Sequence, residues 1–103
     1  MTDPQLTDPQ LIALQAGVSA KRGDYNHARG IYLAAKAMHA PPKTVNNAVV
    51  ICYELGRSYT AALDRLIDRL AASRQTQERD EEIARASRFK KLVSRELVLI
   101  APV

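Results

Sequence analysis

Arg22-Gly23-Asp24-Tyr25, followed at helical spacing by Ala28, Tyr32 and Ala35 and closed by Pro41-Pro42, is the stretch on which the fold turns. Gly23 lacks a side chain and permits a turn, so a first helix over about 8–22 should stop there. A second helix then begins near Asp24 or Tyr25, with Tyr25, Ala28, Tyr32, Ala35 and His39 on one face. Pro41 lacks a donor and Pro42 restricts its predecessor, so this helix ends before them. The expectation is a helical hairpin over about 8–41.

Working outward, the same grammar recurs. A third helix is expected over about 43–55 with Gly56 as its stop, and Ser58 is a candidate N-cap for a fourth. In that fourth helix Tyr59, Ala62, Leu63, Leu66, Ile67 and Leu70 form an unbroken apolar stripe, the clearest amphipathic signal in the chain. The separations suggest a repeat. Gly23 and Gly56 are 33 residues apart, and Tyr25 to Tyr59, Ala28 to Ala62 and Tyr32 to Leu66 are each 34. After a connection over 71–75, Thr76 can cap a fifth helix, with Glu78, Asp80, Glu81 and Glu82 early and Arg88, Lys90 and Lys91 late, an order that suits the helix dipole.

The chain opens on a duplicated Thr-Asp-Pro-Gln-Leu, of which the second copy has capping-box spacing between Thr7 and Gln10, with Pro9 tolerated in the first turn. Residues 1–6 are expected to be a flexible arm. At the other end residues 97–103, Leu-Val-Leu-Ile-Ala-Pro-Val, form an apolar tail that must fold back onto the domain or enter a partner, because left open it invites aggregation. With 103 residues there is room for one domain, 7–96. Scarce Gly, absent Trp and abundant Ala, Leu and Arg favour an all-α class.

The net charge is +4, spread as +1 over residues 1–42, +1 over 43–73 and +2 over the remainder. Cations and acids are interleaved, so no basic stripe of the kind nucleic acid requires stands out. The single cysteine, Cys52, lies in the apolar run 48–53 and reads as a small buried hydrophobe. No stretch approaches the ~18 apolar residues that span a bilayer, and the start lacks signal-peptide character. A cytoplasmic setting without membrane insertion is the expectation.

The chemistry-bearing residues are few. His27 falls on the polar side of its helix, His39 sits at a helix C-terminus where a cation suits the dipole, and Cys52 has no evident base partner. There is no Gly-rich phosphate loop and no ligand-spaced His, Cys or carboxylate cluster, so neither enzyme, cofactor nor metal is expected.

Gly23-Asp24-Tyr25 with Ala28, Tyr32, Ala35 and Pro41 resembles the second half of a tetratricopeptide repeat, and the 34-residue separations match its period. Repeat one would span about 8–41, repeat two about 42–74, and a capping helix about 76–96. The chain departs from the pattern at Ile12, Gln15 and Arg69 and in having no proline after the second copy. Arg22-Gly23-Asp24-Tyr25 and Cys52-Tyr53-Glu54-Leu55-Gly56 with residues 61–71 further resemble the tetratricopeptide-type chaperones that hold the needle subunit in bacterial type III secretion.

The resemblance implies a concave groove lined by the first helix of each hairpin, here Ala13, Gly17, Ala20, Lys21, Asn46, Val50, Tyr53 and Glu54. Both of those helices carry more apolar residues than an exposed face needs. The implied function is a protein-binding chaperone or adaptor holding an apolar or amphipathic helix, such as a secreted needle subunit, alongside a small co-chaperone. The competing expectation is a structural module that self-assembles as a homodimer through the same apolar surface.

Overall fold

Asp8 sets the first helix going. In the computed structural model, which describes residues 8–101, its carboxylate accepts from the backbone N–H of Gln10 at 3.0 Å and of Leu11 at 3.4 Å, while Pro9 occupies the first turn. The helix that follows, α1 (Pro9–Ala37), is closed by a turn in which Ala40 N–H reaches Ala35 O at 3.0 Å and His39 N–H reaches Lys36 O at 3.2 Å. His39 takes φ 53° there, the left-handed position usually given to glycine. Pro41 and Pro42 then stand at the start of the next helix, α2 (Pro42–Ala71), with Pro42 in its first turn. Thr76 caps α3 (Gln77–Ile100) by accepting from Arg79 N–H at 3.1 Å, as its position suggests.

The protein is therefore all-α, and the described residues contain three helices and no strand. α2 runs antiparallel to both α1 and α3, giving two antiparallel hairpins that share α2. The Asp8–Arg69 ion pair joins one end of the α1/α2 hairpin, and Arg22 donates to the Tyr59 hydroxyl at 3.2 Å midway. α1 and α3 are parallel, and Gln15 meets Glu82, Arg22 meets Phe89 and Arg29 meets Glu96, the same offset each time. The result is a rod with extents 57 × 20 × 18 Å.

One physical cause accounts for its straightness. Along α1, Leu11, Leu14, Val18, Lys21, Tyr25, Ala28, Tyr32 and Ala35 alternate in steps of three and four, and all are buried or half-buried. Val45, Val49, Cys52, Gly56, Tyr59, Leu63, Leu66 and Leu70 do the same on α2, and Ile83, Ala86, Lys90, Val93, Leu97 and Ile100 on α3. These are heptad seams, so each helix keeps one stripe toward its neighbours throughout.

Several boundaries are thereby corrected. No turn forms at Gly23 or Gly56, and Ser58 caps nothing, because each seam continues in phase past these positions; 8–41 and 42–74 each hold one uninterrupted helix rather than a hairpin. The capping helix does not end at 96, and the apolar tail is not a separate segment as far as Ile100. Leu97 is buried on the α3 seam and Ile100 is half-buried beside it, and burying them continues the helix. The expected arm at 1–6, the Thr7 capping box and residues 102–103 of the tail lie outside the described residues.

Gly23 is exposed in mid-helix, with nothing within 4 Å of where a Cβ would stand. Gly23→Ala should therefore raise stability by about 1 kcal/mol in urea unfolding, by helix propensity alone. A turn at this position would make the same change destabilising.

Candidate functional site

α3 covers one face of the α1/α2 hairpin and leaves the other bare. On α1 the residues turned to α3 include Gln15, Arg22, Tyr25 and Arg29, whereas Asp24, His27, Ala28 and Ile31 lie on the opposite flank. Across from them on α2 stand Ala48, Ile51 and Leu55, and together these seven residues line an open trough of about 180 Å³. Ala28 and Ala48 form a buried floor of small side chains, while Ile31 and Ile51 stand on the walls, 52% and 53% exposed. Asp24 and His27 supply a polar rim on the α1 side. Small floor residues let another backbone come close, and two half-exposed isoleucines gain when a partner excludes water from them.

The expected groove residues divide between this flank and others. Ala13, Gly17 and Ala20 continue the heptad line of Asp24, His27 and Ile31 down α1, and all three are exposed. Lys21 sits half-buried on the α1 seam instead. On α2, Asn46, Val50 and Tyr53 are turned about 100–160° around the helix from Ile51. Tyr53 is half-buried, with the Arg57 guanidinium 6.0 Å from its ring centre, and Glu54 is exposed beyond the trough edge.

The two halves of the expected groove are also displaced along the rod, because Gly17 and Val50 lie at levels about 20 Å apart when the helices are continuous. Hairpins broken at Gly23 and Gly56 would have set them side by side. Ala28, Ile31, Ala48, Ile51 and Leu55 are absent from the expected set, although Ala28 lies on the α1 seam and the other four each sit one step off a seam.

Between α1 and α3 a second cleft of about 240 Å³ opens over Leu63 and Leu66 of α2. It is bridged rather than bare. Gln15 donates to Glu82 at 2.7 Å and the Arg22 guanidinium lies 5.0 Å from the centre of the Phe89 ring. Further along, Glu96 accepts from both the Tyr25 hydroxyl and Arg29 Nε, the latter at 2.6 Å. Burial, reinforced by the adjacent Glu96 carboxylate, pushes the Tyr25 phenol well above its ordinary range, so it stays protonated and donates. This network ties α3 to α1.

No protein-family model, curated protein or solved structure matches the chain. The functional reading rests on the chain's own residues.

Cys52 is fully buried and burial raises its thiol further, which disfavours the nucleophilic thiolate. Among the described residues no three His, Cys, Asp or Glu side chains gather as a ligand set. None of the described helices is long and apolar enough to cross a membrane.

Proposed function

We propose that this protein is a cytoplasmic chaperone or adaptor that holds an amphipathic helix of a partner protein in the trough between α1 and α2. The observation that carries the reading is the bare apolar flank of the hairpin, where Ile31 and Ile51 rise half-exposed over the small floor of Ala28 and Ala48. A helix laid there would complete a four-helix arrangement, and its polar side would face Asp24 and His27 at the rim. Ala13, Gly17 and Ala20 extend the same flank and offer no side chain that blocks a longer helix. The resemblance of Arg22-Gly23-Asp24-Tyr25 and residues 52–56 to needle-subunit chaperones supplies the class of client, a small secreted helical subunit.

The test is coexpression with such a subunit, comparing the parent chain with an Ile31→Glu/Ile51→Glu variant. Both side chains are half-exposed, so the variant should keep its helical content and unfold at a similar urea concentration. The parent should retain the subunit, and the variant should bind it at least tenfold more weakly, in line with loss of two apolar anchors. Equal retention by both sinks the trough as the binding surface. A parent chain that is a stable homodimer, and becomes monomeric with these substitutions, assigns the trough to self-assembly instead.

A further inference from the structure

The solvent side of α3, bordered by Arg85 at the lip of the α1/α3 cleft and by Lys91, Arg95 and Val98 at the lip of a cleft toward α2, has a composition unlike the rest of the surface. Arg85, Arg88, Lys91 and Arg95 are all exposed, and none takes part in an ion pair, whereas Arg29, Arg69, Arg79 and Lys90 each hold a carboxylate. The acids of α3 are placed elsewhere. Glu78, Asp80, Glu81 and Glu82 cluster at its start, and Glu96 is turned inward onto Tyr25 and Arg29. The nearest acids of α2, Asp64 and Asp68, lie on the far wall of the adjoining cleft, and Asp64 already pairs with Lys90 at 2.5 Å. Over residues 85–99, about 21 Å of helix, the outward charge is wholly positive.

Apolar side chains share this face. Leu92 is 55% exposed, Val98 78% and Leu99 84%, the last two being among the most exposed large hydrophobics of the described chain. Arg85, Arg88, Leu92, Arg95 and Leu99 follow one another in steps of three and four, so cations and aliphatics project together. The inner face of α3 is locked by Ala86, Val93 and Leu97, so the helix cannot rotate to hide them.

We infer that this face docks on an anionic lipid surface, the arginines and lysine reaching phosphate and carboxylate headgroups while Leu92, Val98 and Leu99 enter the acyl boundary. The chemistry excludes a purely phosphate-lined partner such as nucleic acid, which has no use for three projecting aliphatics. A convex single-helix face also suits a deformable plane better than a second rigid protein surface. The protein lies on the membrane and does not span it. This surface is separate from the trough, so the two proposals stand or fall independently.

Cosedimentation of the full chain with vesicles tests it, using phosphatidylcholine alone and phosphatidylcholine with about one-third phosphatidylserine. Binding is expected to the anionic vesicles only, and to weaken as salt rises. Arg88→Glu/Lys91→Glu should weaken it at least about 25-fold, five-fold for each cation lost. Leu92→Ser/Leu99→Ser should weaken it too, without altering the helical circular dichroism signal of these exposed sites. A chain that leaves both vesicle types unbound, or a charge-reversed variant that pellets like the parent, overturns the inference. So does binding of a synthetic acidic amphipathic peptide through the same arginines by a chain that ignores vesicles, which would assign the face to a protein partner.

Discussion

Tyr59→Ala is expected to remove about 3–5 kcal/mol of stability, the range for deleting a large buried aromatic. The ring is 2% exposed and lies where α2 faces Tyr25 of α1, the two ring centres 6.0 Å apart and 80° between planes. Such an edge-to-face pair adds to the burial of both rings. Its hydroxyl also accepts from Arg22 Nε, which stacks its guanidinium on Phe89 of α3, so one side chain connects all three helices. A domain of this size typically has 5–15 kcal/mol in all. Urea unfolding should therefore show a midpoint reduced by about a fifth or more. Tyr59→Phe keeps the ring and loses only the acceptor for a half-solvated guanidinium, so about 1 kcal/mol is expected. Similar losses from the two substitutions would mean that the hydrogen bond, and not the packing, holds this junction.

The same tyrosine shows how far the sequence could be read. Its stripe, Tyr59 to Leu70, is the core face of α2, and the proline break, the Thr76 cap and the all-α class are all where local chemistry puts them. What misleads is the similarity of Tyr25 and Tyr59. Their separation of 34 residues suggests equivalent positions in two repeats, yet in the antiparallel pair they are each other's partners. Glycine contributes the rest of the confusion. In mid-helix it costs about 1 kcal/mol relative to alanine, and it stops a helix only where the chain needs a left-handed residue. Among the described residues that need arises once, at His39, with no glycine present.

The candidate site was legible to the same depth. Ala13, Gly17 and Ala20 depend only on the register of α1 and fall on the bare flank. Asn46, Val50 and Tyr53 depend on hairpins closing at Gly23 and Gly56, and they turn elsewhere once α2 is continuous. Ile31 and Ile51 sit one step off their seams, and their value depends on which flank α3 leaves uncovered, a tertiary fact that no periodicity within one helix contains.

Gly56 carries the second large prediction, and it separates a packing glycine from a turn glycine. It is buried in α2, and a Cβ there would stand 2.5 Å from Leu97 Cδ2 of α3 and 3.0 Å from Tyr25 Cε2 of α1. Gly56→Leu should cost about 3 kcal/mol, since its side chain would drive into Leu97 of α3 and Tyr25 of α1. Gly56→Ala should cost about 1 kcal/mol, because the clash outweighs the helix propensity that the same change gains freely at Gly23. The Leu97 methyl can move, whereas the Tyr25 ring is fixed by Tyr59 and Glu96. A double-mutant cycle therefore distinguishes the causes. Leu97→Ala vacates the space that the new Cβ enters, so Gly56→Ala should become less costly, by 0.5 kcal/mol or more, when Leu97 is already alanine. Additive losses would place the role of Gly56 in its backbone, and the close three-helix contact at this level would have to be given up.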